Sequence, residues 1–343
     1  MVRRVEASQD SIVVTGANGQ LGRALLSSLA CVSDSNASQN GRPRVRALVR
    51  SETAKKTIEA LGLDPPPEIE IVDYTNPSEM AAALAGMSRV IHLVGIIKET
   101  KGASYVEAHE QTCHALALAA QRAGIQRIVY LSILGSAVNS ENACLASKGR
   151  AESLLLEDRV ATTVLRVPMV LGGDDPATDS LRRQAQSRSL RLIAGGRTLQ
   201  QPIDSRDVVR AVLAACTAAP GRHLSLDAGG PECVSHRNLV LRAARLWGNE
   251  PKIRSIPLWL ARFAVKTLSL VLPNPPITLP MLDILQHDDR TDPNLFCSAL
   301  GIELTPLSQT LADYVGPKNV GPKNVASEND GTDRPKSETE ART

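Results

Sequence analysis

Three glycines near the start of the chain have the spacing of a loop that brings the backbone against a diphosphate. Gly16, Gly19 and Gly22 directly follow an apolar run at residues 12–14, and leucines at helical spacing come after them. In such a unit the first glycine permits a tight turn. The second lets the backbone approach a pyrophosphate, and the third lets the helix pack close to the strand. The unpaired amides that open the helix then face the phosphates. The predicted contact segment comprises Gly16, Asn18, Gly19, Gln20, Leu21 and Gly22.

The residues that end the next strands indicate which dinucleotide would bind. An acidic residue at the end of the second strand favours NAD, whereas an arginine there accommodates a 2′-phosphate. Arg50 holds this position, so NADP(H) is preferred and NAD(H) is the alternative, with Arg50 then a solvated cation. Asp73 ends the third strand near the expected adenine, or it caps the turn at residues 74–77. Val94 and Gly95 end the fourth strand, where a small residue lets the cofactor pass or simply makes a turn.

Strand and helix patterns alternate along residues 11–171, and the strands are short and apolar. This alternation predicts an α/β fold, a Rossmann-type doubly wound parallel sheet that binds ligands at the carboxyl ends of its strands. More frequent turns, glycines and prolines predict a smaller mixed lobe over residues 172–315, from which residues 224–226 can return to the sheet. Within it, Asp207 is expected to cap or orient a helix over residues 208–217.

The ends of the chain and its overall composition narrow the range of functions. Residues 1–10 are expected to be a tail, and the polar residues 316–343 are expected to be disordered. A net charge of +3 and an aromatic content of 2% argue against nucleic-acid binding, which needs clustered cations and stacking rings. The six scattered cysteines include no CxxC pair, which favours a reduced, cytoplasmic protein. No secretory signal or membrane-spanning run is recognised.

No metal site is predicted from the sequence. His109 and His114 lie five residues apart rather than at the i, i+4 spacing of helical metal ligands, so both are expected on a solvated helix face. Residues 287–289, a histidine followed by two aspartates, are expected at the end of a helix.

Motifs further along the chain complete a familiar series. They are Leu93-Val94-Gly95, Ser132, Lys148 and Arg166-Val167-Pro168. With the glycine loop and Asp73, the chain resembles the atypical and extended short-chain dehydrogenase/reductase superfamily over about residues 11–315. Within it, residues 92–96, 201–208, 226–231 and 299–302 resemble the nucleotide-binding accessory subunit of respiratory complex I and its bacterial relatives. The glycine loop alone also resembles reductases of nucleotide-linked deoxysugars.

The resemblance implies a catalytic set of serine, tyrosine and lysine, of which only part is present. In the superfamily tyrosine transfers a proton at the carbonyl oxygen, lysine lowers the tyrosine pKa and holds the ribose, and serine polarises the carbonyl. Lys148 is present and is the catalytic candidate, but Cys144 stands at the tyrosine position, four residues earlier on the same helical face. Ser132 is expected beside the cofactor, while Leu134 stands where the polarising serine is expected, unless Ser136 replaces it.

Two of the three groups are therefore expected to be missing. Cys144 is expected to be a structural cysteine, because its side chain is too short to reach the carbonyl that a tyrosine would reach. Lys148 can still bind the ribose hydroxyls, and Pro168 with Met169 would frame the nicotinamide end.

The most apolar stretch of the chain is residues 256–272, which also carries Arg262 and Lys266. It is too short and too charged to span a bilayer. It predicts either a core helix of the smaller lobe or a helix that docks on a membrane surface or a protein partner. The resemblance to a subunit of a membrane complex favours the docking helix over the core helix. The protein is expected to be cytoplasmic, either free or peripheral to the inner membrane.

Three interpretations follow from the sequence. In the first, the protein holds NADP(H) for structure or sensing and is an accessory or assembly factor linked to respiratory or quinone metabolism. In the second, it is an active oxidoreductase, or a nucleotide-sugar epimerase or reductase, with a substituted proton donor. In the third, it is an interaction protein that binds no nucleotide, and the intact glycine triplet argues against this.

Overall fold

The computed structural model describes residues 10–31, 43–173, 175–272 and 274–317, so most of both predicted tails lies outside the described residues. In chain order, the strands β1–β13 are Ser11–Thr15, Arg44–Val49, Glu68–Ile71, Arg89–His92, Arg127–Ile133, Ala161–Val167, Val170–Leu171, Ser189–Ile193, Leu199–Gln200, Ile203–Asp204, Leu224–Asp227, Val234–Ser235 and Lys252–Ile256. The helices α1–α12 are Gln20–Cys31, Glu52–Glu59, Pro77–Leu84, Thr112–Ala123, Ala143–Leu156, Pro176–Gln186, Ser205–Ala215, His236–Arg245, Leu258–Val271, Leu279–Leu285, Pro293–Leu300 and Leu307–Tyr314. A π-helical segment, Val106–Gln111, leads directly into α4.

The described chain builds one large parallel sheet of seven strands in the order β11-β6-β5-β4-β1-β2-β3. Parallel neighbours need long crossover connections, and here helices supply them. β2 and β3 extend the sheet on one side of β1, and the chain then crosses back to build β4, β5 and β6 on the other side. This confirms the predicted Rossmann-type α/β fold. The order reverses between β1 and β4, so a crevice opens there at the carboxyl ends of the strands.

Both faces of the sheet are buried, which explains why its strands are apolar without strict alternation. Val13 of β1 packs into a cluster with α3, α4 and α5. Its neighbour Val14 points the other way, into a cluster with α1, α2, α7 and α11. With helices over both faces, ligands reach the sheet only along its edges and ends.

A second lobe lies beyond β6. Its core packs α6, α8 and α12 around Leu171, and three two-stranded sheets pair β7 with β10, β9 with β12 and β8 with β13. β11 leaves this lobe and pairs with β6, so residues 224–227 do return to the main sheet. The division of the chain at residue 171 stays a prediction.

The helix after β10 begins earlier than the sequence suggested. α7 starts at Ser205, and its N-cap is Asp204, whose side chain accepts a hydrogen bond from the amide of Arg206 at 2.8 Å. The expectation that Asp207 caps the helix is wrong. Asp207 is buried and instead accepts from the amide of Thr305 at 2.7 Å, fastening the chain before α12 to α7. This contact spans almost a hundred residues, so local pattern could not reveal it.

Candidate functional site

The glycine loop between β1 and α1 has the backbone geometry of a phosphate cradle. Gly16 has a φ of +68°, a conformation that glycine adopts without strain. A Cβ on Gly22 would stand 2.5 Å from the carbonyl oxygen of Ala17 and 2.6 Å from that of Gly16, so only glycine fits. Asn18 and Gly19 are exposed, which leaves the outer edge of the loop open to solvent.

The amides that open α1 are available for a ligand. The amide of Gly16 donates to the hydroxyl of Tyr74 at 3.1 Å, and that of Gly19 donates to the Gly16 carbonyl at 3.0 Å. Within the described ranges, the amides of Gln20, Leu21 and Gly22 have no such acceptor. Three unpaired donors at the positive end of a 12-residue helix suit an anion.

Tyr74 is a member of this site that the sequence did not single out. Its hydroxyl donates to the carbonyl of Leu48 in β2 at 2.5 Å while it accepts from Gly16, so it ties the loop to the sheet. Burial raises the pKa of Tyr74 to about 12, so the phenol keeps its proton. Its position directly after Asp73 was the only signal in the sequence.

Arg50 and Asp73 lie at the ends of neighbouring strands, as their expected contacts with the adenosine require. Arg50 is exposed and forms no ion pair among the residues that the structure describes. The Oδ1 atom of Asp73 accepts from the amide of Thr75 at 2.9 Å and from its hydroxyl at 2.7 Å. These bonds, with the nearby charge of Arg50, lower the pKa of Asp73. Asp73 therefore does cap the turn, and its Oδ2 atom is left for another donor.

Lys148 of α5 is buried behind the carboxyl ends of β4 and β5. Its ammonium donates to the carbonyl of Leu131 at 3.0 Å and to that of Val94 at 3.5 Å, and it lies 4.5 Å from the centre of the Tyr130 ring. Burial lowers the pKa of Lys148 to about 8. A Cβ on Gly95 would stand 2.9 Å from its Nζ, so Gly95 makes room for the lysine itself.

Cys144, which the resemblance puts at the position of the tyrosine, is turned into the protein. It is fully buried, and its thiol points to the carbonyl of Ile96 at 3.6 Å. Burial raises the pKa of Cys144 to about 11, so it remains a neutral thiol near pH 7.

The serines after β5 are held by the protein. The hydroxyl of Ser132 donates to Glu152 at 2.5 Å, and Arg166 pairs with the same carboxylate at 2.6 Å. The loop does bend enough to bring the Ser136 hydroxyl within 3.3 Å of Ser132, while Leu134 lines a cavity nearby. No local pattern pointed to Glu152, because only folding brings α5 against the end of β5.

Two buried histidines lie behind the lysine. The solvated position expected for His109 is wrong: it is fully buried, and its Nε2 lies 3.1 Å from both the amide and the carbonyl oxygen of Ile96. His92 of β4 is buried too, with Nδ1 2.7 Å from the Thr15 hydroxyl. Burial lowers the pKa of each imidazole to about 3, so both are neutral at pH 7. His114 is exposed, as expected.

A cavity of about 390 Å³ brings part of the predicted site together. It lies between the two lobes, at the carboxyl ends of β4, β5 and β6, and most of its wall is apolar. The predicted residues that share its wall are Gln20, Leu21, Gly95, Ser132, Lys148 and Pro168. Arg50 and Asp73 stand apart from it at the ends of β2 and β3, so the predicted residues run from the cavity along the crevice. His287 and Asp289 also line it, although the sequence expected only a helix end there.

The apolar stretch at residues 256–272 forms α9 on the surface. Val265 is the one buried residue of this fully described helix, whereas Trp259, Phe263 and Leu270 are 70%, 62% and 82% exposed. The core-helix interpretation is therefore wrong, because no other part of the described chain covers this face. None of the described helices is both long enough and apolar enough to cross a bilayer.

Comparisons with known proteins agree with this geometry. A family model described as NAD(P)H-binding matches residues 16–220, from the first glycine of the loop to just before β11. The chain belongs to this NAD(P)H-binding family, within the atypical short-chain dehydrogenase/reductase superfamily. The match covers the glycine loop, the strand ends and α5.

Two curated relatives and a solved structure are similar over most of their length. One is NADH dehydrogenase (ubiquinone) 1 alpha subcomplex subunit 9, mitochondrial, from Arabidopsis thaliana, 28% identical over 303 residues, which are 84% of this chain and 73% of the relative. Another is a 4-hydroxy-2-methyl-3-oxo-4-farnesyl-3,4-dihydroquinoline-1-oxide ketoreductase from Stigmatella aurantiaca, 28% identical, covering 73% and 77%. UDP-glucuronic acid 4-epimerase from Bacillus cereus shares the fold, with a TM-score of 0.66, 18% identity and coverage of 89% and 98%.

Proposed function

We propose that this protein holds NADP(H) for structure or sensing and works as an accessory or assembly factor at a membrane respiratory or quinone system. One contrast carries the proposal: the phosphate loop is complete, whereas the place of the tyrosine proton donor holds a buried thiol. The cofactor, when bound, would bring a hydride donor or acceptor to the cavity. The loop amides would hold its diphosphate and Pro168 would frame its nicotinamide end.

The preference for NADP(H) is supported by Arg50. Its guanidinium is exposed and forms no ion pair in the described chain, and only the more distant charge of Asp73 acts against it, so a 2′-phosphate would meet an available positive charge. Ser51 uses its hydroxyl to cap α2, accepting from the amide of Ala54 at 3.2 Å, and so leaves recognition of the phosphate mainly to Arg50.

The loss of the tyrosine proton donor that the family uses supports a non-catalytic role. A general acid must lie within hydrogen-bond reach of the carbonyl that it protonates. Cys144 is turned to a backbone carbonyl, Ser132 is held by Glu152, and Lys148 donates to two strand carbonyls. Each group that the family would use is thus occupied within the protein.

A membrane surface is the partner that α9 fits best. The helix exposes two aromatic rings and Lys266 and carries no acidic residue, a pattern suited to lipid head groups, while Arg262 pairs with Asp283 of α10. The relative from Arabidopsis is named as a subunit of mitochondrial NADH dehydrogenase, which supports a place beside a membrane complex. A peripheral position on a cytoplasmic membrane face is therefore proposed.

Native mass spectrometry of the protein as purified tests the cofactor proposal. We expect a bound dinucleotide, NADP(H) rather than NAD(H), and a rise in melting temperature on adding NADPH. Protein that carries no dinucleotide and gives no thermal shift with NADPH or NADH would remove the proposal. Steady oxidation of NADPH with any member of a carbonyl and quinone panel would instead support the active-reductase interpretation.

Vesicle sedimentation tests the docking surface. The double variant Trp259→Ser, Phe263→Ser should lose at least about tenfold in binding to phosphatidylcholine vesicles containing phosphatidylglycerol, since each buried ring contributes about 1.5–3 kcal/mol. Leu295→Ser is the matched control, because Leu295 is 72% exposed on α11. Equal sedimentation of all three proteins would contradict a membrane role and leave a protein partner for this face.

A further inference from the structure

We propose that the cavity beside Lys148 binds a lipid-soluble molecule that carries a small head group with carbonyl or hydroxyl oxygens and an apolar tail. The inference rests on the proposed function and gives the ligand class of the same site. It depends on three features: the apolar lining of the cavity, a ring nitrogen of His287 that no protein group in the described ranges occupies, and the surface that adjoins the mouth of the cavity.

The cavity offers a ligand apolar contacts almost everywhere. Its aliphatic wall includes the ends of β4, β5 and β6 and parts of α5 and α10, with Leu93, Ile97, Ile133, Leu134, Leu145, Val167, Met169 and Ile284 among the lining residues. The cavity measures about 390 Å³ in total, and a ring or a chain of small-ligand size would share this volume with the nicotinamide end of a bound cofactor.

Most polar groups in the wall already have protein partners. Gln20 donates to the carbonyl of Gly173 at 3.0 Å, and Gln200 lies 2.9 Å from Nδ1 of His236. Asp175 accepts from two amides as the N-cap of α6. Ser132 and Lys148 are held by Glu152 and by strand carbonyls, as described above. A ligand that needs many hydrogen bonds would find few here.

The exposed side chain of His287 offers a free polar atom to a ligand. Its Nδ1 faces Asp289 at 3.6 Å, and no hydrogen bond to its Nε2 is found within the described ranges. That Nε2 atom would stand 2.9 Å from a Cβ on Gly135, so the ring lies directly over the loop after β5. A protonated ring would donate to a carbonyl oxygen, and a neutral ring with its proton on Nδ1 would accept from a hydroxyl. A carbonyl or hydroxyl oxygen on the head group of a ligand is therefore what this ring can recognise.

The wall of the cavity is continuous with the exposed apolar surface. Met281, Ile284 and Leu285 of α10 line the cavity, and α10 is fastened to α9 by an ion pair of 2.7 Å between Arg262 and Asp283. A tail that leaves the cavity past α10 would reach the face that we assign to the membrane. A lipid-soluble ligand could then enter without crossing water.

The charges of the wall disfavour the nucleotide-sugar interpretation. A sugar diphosphate needs arginine or lysine side chains that are free to neutralise it. The described wall contains Asp175 and Asp289, and its lysine, Lys148, already donates to backbone carbonyls. The Stigmatella relative is named for a substrate with a farnesyl group, which agrees with an apolar ligand.

Binding to the NADPH-loaded protein tests the inference, with tryptophan fluorescence and native mass spectrometry as readouts. The probes are decyl-ubiquinone, the same ring without its decyl tail, and undecanone. We expect decyl-ubiquinone to bind at least tenfold more tightly than the ring alone. Binding of undecanone as well would assign the site to lipid carbonyls in general, whereas its failure would assign it to quinones. Failure of both tailed probes overturns the proposal.

Two variants locate the binding. Ile284→Asp places a charge in the apolar wall and should weaken decyl-ubiquinone at least tenfold, and His287→Asn should weaken it about three- to tenfold. Leu295→Asp and His114→Asn, both at exposed positions outside the cavity, are the matched controls. NADPH affinity should stay unchanged in all four, which separates this proposal from the cofactor proposal. Equal probe affinity in wild type and both cavity variants would refute it.

Discussion

Arg50→Ala should remove most of the preference for NADPH over NADH while leaving NADH binding nearly unchanged. Arg50 is exposed at the end of β2 with no carboxylate partner in the described chain, so its charge is available to a 2′-phosphate and is screened by water. Two unit charges about 4 Å apart in water attract by about 1 kcal/mol, and a phosphate monoester carries about −1.5 to −2. The attraction between Arg50 and the 2′-phosphate is therefore up to about 2 kcal/mol, and salt screening reduces it somewhat. The remaining attraction of about 1–2 kcal/mol corresponds to a factor of about 5 to 30 in the affinity for NADPH.

Isothermal titration calorimetry of both dinucleotides, at one fixed salt concentration, measures this factor. Arg122→Ala is the control, because Arg122 is an exposed cation near the end of α4, just before β5 begins and therefore at the opposite end of the sheet. The control should leave both affinities unchanged. An Arg50→Ala protein that loses NADH and NADPH binding equally, or neither, would show that Arg50 does not read the 2′-phosphate.

Three further predictions concern the loop and the buried polar groups. Gly22→Ala should lower NADPH affinity at least tenfold and the free energy of unfolding by about 1–3 kcal/mol, because the new Cβ would meet two carbonyl oxygens. The control is Gly102→Ala, where a Cβ meets open space, and it should change neither quantity. Calorimetry measures both. Because burial lowers the pKa of Lys148 from 10.5 to about 8, the unfolded chain holds more protons between these values, and the free energy of unfolding should rise with pH there by up to about 3 kcal/mol. Chemical denaturation at a series of pH values should show this rise in the wild type but not in Lys148→Met. If the free energy of unfolding changed with pH in the same way in both proteins, the buried charge would be contradicted. Burial lowers the pKa of His92 from 6.5 to about 3, so the free energy of unfolding should fall as the pH drops through that range. In His92→Gln the slope of the free energy of unfolding against pH should be smaller there, by the amount that one bound proton contributes.

Much of the nucleotide end of the site could be predicted because its signals are local. The glycine spacing fixes a turn, and Ser51 caps α2 where the sequence suggested a helix start. The residue that ends β2 follows directly from the length of the strand. These features depend on neighbours within a few residues, and backbone sterics translate them into the same geometry in almost any tertiary setting.

The cavity end could not be predicted in the same way. Asp207 resembled a helix cap, but Thr305 of a distant segment holds it. His109 resembled a solvated residue, but the loop after β4 and the neighbouring helix bury it. The role of each of these side chains depends on which distant segment packs over it, and local sequence patterns do not predict this packing.

By itself the sequence determined the alternating α/β pattern, the spacing of the glycine loop, the arginine at the end of β2 and the cysteine four residues before Lys148. Tertiary structure alone decided that Lys148 donates its hydrogen bonds to strand carbonyls and that His287 lies over the loop after β5. It also decided that α9 lies on the surface, with its apolar face not covered by the described chain. The physical reason is range: turns, caps and periodicity are set by bonds between near neighbours, whereas burial, pKa and exposure depend on long-range packing.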